Sequence, residues 1–334
     1  MLYLPSVSYT HLRAHETSLH LVCRLLLEKK KLLADAIKRD NQIKSETPNF
    51  SQAATTNEGV YKTEDDWGDS YYFRGAVTNN WVSFAGFYWR IIRINGDGSI
   101  RMIYNGTSTA TTGTTTMINN GASQAFNSSY DRSEYVGYMY TSGQQHGNTT
   151  DSPIKDIVDS WYSSNLASYA DKISKEAGFC GDRNMASGYS WSSTPSSTIY
   201  YAGYGRLVQK SSSVNPTFKC SNSTDLYTVS GSSKGNKALS NPVGLITADE
   251  VTMAGLPWSG STTSNYLYTG QYYWTMSPYS FGGSFASVFR VDSDGSLNYS
   301  WVNNSFGVRP VINLRSDITI LSGDGTSSNP YVIL

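Results

Sequence analysis

Residues 272–314 read YYWTMSPYSFGGSFASVFRVDSDGSLNYSWVNNSFGVRPVINL, and the rest of the chain is organised around them. Ser287, Phe289 and Val291 alternate with Val288 and Arg290, the period-2 signature of a half-buried strand. Ser293-Asp294-Gly295 supplies the backbone angles of a two-residue hairpin turn. A second strand then places Leu297, Tyr299 and Trp301 on one face and Ser296, Asn298 and Ser300 on the other. A third, FGVRPVINL (306–314), carries Val308, Pro310 and Ile312 on one face. Pro310 has no N–H for a ladder, so this strand is expected at an edge or with a bulge.

Upstream, Tyr88, Arg90 and Ile92 alternate with Phe87, Trp89 and Ile91, and both sets are bulky, which predicts a strand covered on both faces. Ile91–Ile94 and Ile100–Tyr104 are joined by NGDG, a strong hairpin signal. The pattern W-x-x-S-P at 274–278, the alternating strand, the D-G turn and the closing G-V-R-P-V-I-N-L resemble the end of C-type-lectin-like domains in bacterial surface proteins. W-R-I-I-R-I (89–94) is the other half of that resemblance, which runs from about Tyr71 to the C-terminus. The family embraces formylglycine-generating-enzyme-like folds, retroelement-diversified proteins and an uncharacterised group from gut bacteria. It implies an α+β fold: a β-rich C-type-lectin-like domain over 59–315, a few helices, and a C-terminal β-hairpin over 316–334. Since that fold hosts both enzymes and binders, it implies a class of function without a ligand.

Residues 7–31 resemble a translated sequencing-adapter read-through ending in a lysine run, and 1–31 are set aside as non-native; by periodicity alone, 21–30 would pass as a basic amphipathic helix. Without them the 26 basic and 26 acidic residues become 21 and 24, a net charge of −3, so no basic footprint for nucleic acid remains. With the native start missing, a membrane link is expected only through a lost N-terminal anchor. Charged residues make up 16% of the chain, below the ~25% of ordinary soluble domains, and Ser, Thr, Asn, Gly and Tyr fill the difference. That composition suits an extracellular or cell-surface bacterial protein.

Residues 32–58 read as a short amphipathic helix and a linker. Thr107–Gly147 is a long polar stretch expected to be a functional or poorly ordered excursion. Ser152 and Pro153 open the best helix, with Ile154, Ile157, Val158 and Trp161 at helical spacing and a possible second helix after Ser163–Asn165. Asn241–Leu256 reads as a strand entering a helix capped by Thr247, with Glu250 completing a capping box. Ile318–Leu321 and Tyr331–Leu334 read as the final hairpin.

Chemistry finds little purchase. His146, in a Gly-rich loop, reads as a solvated histidine, and no nucleophile signature surrounds it. H-E-x-x-H, CxxC and P-loop motifs are missing, so no cofactor is expected. Glu64, Asp65, Asp66 and Asp69 read as a solvated acidic patch, and Asp292 and Asp294 fit a hairpin turn better than a calcium loop. Cys180 and Cys220 read either as a disulfide closing a loop of about 40 residues or as two reduced buried thiols. The fold's enzymatic relatives use a cysteine pair in the C-terminal core, and 272–314 holds none.

The remaining signal is aromatic. Tyr279, Phe281, Tyr299, Trp301 and Phe306 sit among Asn298, Asn303, serines and glycines, a mixture of rigid rings and adaptable polar groups resembling a binding surface. Core packing accounts equally well for Trp274, Trp301 and Phe289. The resemblance implies that this stretch is the ligand face. The expectation is a non-catalytic binder of an extracellular glycan, peptide or protein; the alternatives are a pilin-like adhesive subunit and, more weakly, a formylglycine-generating-type enzyme. Arg290 and Arg309 are expected to pair with carboxylates or carbonyls, not with ligand.

Overall fold

The computed structural model describes residues 31–209, 213–258 and 260–333. The expectation for 1–30 therefore lies outside the described residues. The chain is mixed and sheet-rich with few helices. Helix α1 (Leu33–Asp40) buries Leu33, Ala36 and Ile37 in the main core. Strand β1 (Ile43–Lys44) runs parallel to β2 (Asn57–Asp65), which pairs antiparallel with β3 (Gly68–Gly75). Then β3 and β4 (Trp81–Phe84) share one side of β5 (Phe87–Ile94), and β6 (Ile100–Tyr104) takes the other. From Trp89 to Ile94, β5 is buried on both faces, as its double set of bulky residues predicts.

Thr107–Gly147 is not a loose excursion. Three short 3-10 turns interrupt it, and Met117, Ile118, Phe126, Val136 and Tyr138 enter the core, because widely spaced apolar side chains suffice to anchor a polar chain. Helix α2 (Pro153–Asn165) starts with proline at its first turn, but Ser152 does not cap it. The Ser152 hydroxyl donates instead to the Tyr138 carbonyl, 2.8 Å away. Beyond Leu166 the expected second helix shrinks to a 3-10 turn, Ala167–Tyr169.

The second sheet is built from the stretch that decided the sequence reading. Its order is β7 (Ile199–Tyr200), β8 (Tyr273–Gly282), β9 (Phe285–Val291) and β10 (Leu297–Trp301), all antiparallel. The β9–β10 connection is a five-residue loop, 292–296, not the two-residue turn read from Asp-Gly. It repeats the β5–β6 loop bond for bond: Asn95 and Asp292 donate backbone N–H to Ser99 and Ser296, and Gly98 and Gly295 donate back. Both glycines hold positive φ, +83° and +80°, which explains why glycine closes each loop. Asp294 accepts from Ser296, and Asp292 pairs with Arg290, so both carboxylates are engaged within the turn.

After β10 the chain leaves this sheet. Ser305–Phe306 pairs with Gln124–Ala125, and β11 (Val311–Leu314) crosses to pair with β6. Pro310 falls just before β11, and its carbonyl accepts the Tyr104 N–H. Val308, Arg309, Val311 and Ile312 are all buried, so this segment has no solvent side. The C-terminal hairpin expected from Ile318–Leu321 and Tyr331–Leu334 is reduced to a minimal antiparallel contact. Ser322 and Val332 form a single antiparallel bridge, and β12 (Tyr331–Val332) adds parallel to β4.

Helix α3 (Ala202–Leu207) packs on β8, and α4 (Ala248–Met253) follows an extended segment joined to Val311 at Gly244. Thr247 caps α4, with its hydroxyl accepting from Glu250 N while the Glu250 carboxylate accepts the Thr247 N–H. Thr247→Ala is expected to lower stability by about 1 kcal/mol, read as a shifted urea midpoint at constant slope.

Candidate ligand face and the charged interior beneath it

Two ring clusters occupy one face of the second sheet. Register places Phe285, Ser287 and Phe289 of β9 on the same face as Tyr299 and Trp301 of β10. On β8 the register slips between Pro278 and Ser280, leaving Tyr279 as the extra residue of a bulge beside a proline that cannot donate. The bulge aims Tyr279 outward. Its ring lies parallel to Tyr299 at 4.1 Å and to Trp258 at 5.5 Å, standing on the edge of buried Phe289 at 5.0 Å. Tyr200 at the end of β7 and Tyr204 in α3 stack at 3.9 Å and meet Tyr279 edge-on. In the second cluster Phe285 stacks on Trp301 at 4.3 Å and on Tyr130 at 5.0 Å.

The sequence-predicted residues divide by place. Tyr299 and Trp301 are 39% and 46% exposed, and Asn303 is exposed in the turn that follows. Tyr279 is buried as a pillar under Tyr299, and Phe281 is 2% exposed and offers a ligand no area. Asn298 belongs to the opposite face. Its amide donates to Asp292 and its carbonyl oxygen accepts the Tyr299 N–H. Phe306 is half-buried against Trp274 at 4.9 Å, beneath the Arg290 guanidinium. Arg290 pairs with Asp292, and Arg309 donates to the Tyr104 and Leu267 carbonyls, as the sequence reading expects of both. Sequence reasoning missed Trp258, Phe285 and Tyr130. Contact across non-adjacent segments brings Trp258 and Tyr130 to this face, whereas Phe285 shares the period-2 spacing of Ser287 and Phe289.

Beneath the sheet lies a narrow, charged cavity whose walls include Arg93, Arg101, Arg206, Asp182, Asp249 and Glu250. Glu250 pairs with both Arg93 and Arg101, and Arg93 also reaches Asp65 at 2.5 Å. Arg206 holds Asp249 through two nitrogens at 2.9 Å and Asp182 at 2.6 Å. Burial works to raise the Glu250 carboxyl, but the Arg101 and Arg93 guanidiniums and the Thr247 N–H outweigh it and hold it below the ordinary carboxylate range. Burial pulls Arg101 down from its ordinary value against the opposing pull of Glu250.

The acidic patch read at 64–69 is therefore not uniformly solvated. Asp65 is buried on Arg93, Asp66 accepts the Cys220 N–H, and Glu64 and Asp69 take Lys219 and Lys62. His146 is half-buried, not freely solvated: its Nδ1 lies 2.9 Å from Asp225, whose carboxylate also binds the buried Arg183. Cys180 and Cys220 are joined in a disulfide with Cα atoms 5.5 Å apart. It fastens residues 213–220, where Phe218 covers Arg93 at 4.4 Å from ring centroid to guanidinium. Among the described residues no His, Cys, Asp and Glu group is arranged to hold a metal ion, and no helix is long and apolar enough to cross a membrane.

Comparison with protein-family models, with curated proteins and with solved structures finds no match to this chain.

Proposed function

We propose that this chain is a non-catalytic binding module, secreted or held at the surface of a bacterial cell, with a C-type-lectin-like domain whose ligand face is the outer face of β8–β10. One observation carries the reading: Tyr299 and Trp301 project from neighbouring positions of β10 into solvent, each with one ring face backed by another aromatic. Backing fixes their orientation before any ligand arrives, so little ordering entropy opposes binding. The interior charges support the absence of catalysis. Arg93, Arg101, Arg206, Asp65, Asp182, Asp249 and Glu250 hold one another, and Asp225 is shared by Arg183 and His146.

A combined glycan and peptide array with intact chain and a Tyr299→Ala, Trp301→Ala double variant tests this. Both residues are exposed, so the variant should fold. The expected result is a loss of affinity of about tenfold or more for whatever the intact chain binds. Unchanged binding by a folded double variant would move the site elsewhere.

A further inference from the structure

Resting on that binding reading, the geometry points to a neutral saccharide as the occupant of the ring face, held without strand addition and without calcium. An extended peptide would dock on an open sheet by pairing with its edge strand. The edge beside Tyr299 and Trp301 is β10, and two of its three outward N–H groups are already occupied. Val302 N bonds to Ala286 O across the ladder, so the alternate residues Leu297, Tyr299 and Trp301 direct their N–H groups away from β9. Leu297 N donates to the Pro257 carbonyl at 3.1 Å, and Tyr299 N to the Asn298 side chain at 2.8 Å. Asn298 is itself held by Asp292 at 2.8 Å. It is an edge guard: with Leu297 N also taken, an incoming strand finds only the Trp301 N–H, too little for a ladder.

What stays open is the ring surface and its polar rim. Among the described residues, the hydroxyls of Tyr130 and Tyr299 and the indole N–H of Trp301 have no hydrogen-bond partner, although their rings are fixed by stacking. Tyr299 and Trp301 lie two residues apart on one strand face, about 6.7 Å along the strand. A pyranose matches such a surface because its axial C–H groups form an apolar face while its hydroxyls radiate from the rim. The rings would take the former, and the free tips with exposed Asn303 the latter. The face itself carries no charge: Arg290 and Asp292 satisfy each other on the opposite side, and the exposed neighbours Asp131 and Arg132 are of opposite sign. A strongly charged ligand would find no counter-ion here.

The test is titration of the chain with neutral oligosaccharides, uronic-acid oligosaccharides and peptides, followed by calorimetry. Each is repeated with a chelator and at raised salt. The expected result is binding of at least one neutral oligosaccharide, unaffected by chelator or salt. Trp301→Ala should weaken it about tenfold, Trp301→Phe far less, and Asn298→Ala should leave it within about twofold. Peptide binding that strengthens in Asn298→Ala would overturn the saccharide assignment while keeping β10 as the site. A preference for charged sugars, or loss on chelation, would overturn the assignment in the same way. Saccharide binding indifferent to Trp301→Ala would overturn both the assignment and the ring-face reading. Failure of every neutral oligosaccharide to bind would overturn the assignment alone.

Discussion

Glu250→Gln is expected to lower the unfolding free energy by about 3–5 kcal/mol, because it leaves two buried guanidiniums without their shared counter-charge. Arg93 keeps Asp65, but Arg101 is 1% exposed and is left with the Gly178 carbonyl and a long contact to Asn313. The reciprocal bond of the α4 capping box is weakened by the same change. Urea unfolding at neutral pH reads the loss directly. The acid limb adds a second check. Glu250 titrates below its ordinary range when folded, so its contribution is fully present above the unfolded carboxylate pKa of about 4.3 and is lost as pH falls through the lower folded value. The wild-type chain should therefore lose stability over that window, and Glu250→Gln should show a shallower decline. A neutral-pH loss below about 1 kcal/mol would mean the cluster behaves like a surface pair.

Removing the disulfide by Cys180→Ser with Cys220→Ser is expected to cost about 4 kcal/mol, from the entropy regained when a loop of 40 residues is released in the unfolded chain. Residues 213–220 should feel it first. They cover Arg93 with Phe218 and are otherwise held by Lys219 on Glu64, Cys220 N on Asp66 and Thr217 N on Asp249. An unchanged urea midpoint in the double variant would show that these polar contacts suffice to hold the segment and that the loop is already restricted when unfolded.

Legibility followed the range of the interactions. The strands at 285–291 and 297–301, the NGDG hairpin and the Thr247–Glu250 box were readable because period, turn chemistry and capping are local. Local rules failed where a distant partner decided the outcome. Ser152 looked like a cap but gives its hydroxyl to Tyr138, and Asp65 looked solvated but is drawn inward by Arg93. The 306–314 run looked like a third strand of one sheet, yet its halves pair with Gln124–Ala125 and with β6. At the ring face, alternation placed Tyr299 and Trp301 on one side of a strand, and the structure exposes both. Alternation could not place Tyr279 there, because a bulge beside Pro278 breaks the period, nor foresee that Asn298 would turn back to guard the edge.

In the proposed function the outer rings of β8–β10 bind the ligand while the arginine-lined interior only holds the fold. Hydrogen exchange on the chain with and without the tightest ligand from the array addresses this most directly. The prediction is slowed exchange in residues 285–303 and around Tyr130, with Arg93, Arg101 and the Ala248–Met253 helix unchanged. Protection centred on Arg93, Arg206 and Glu250, with residues 285–303 unaltered, would contradict it.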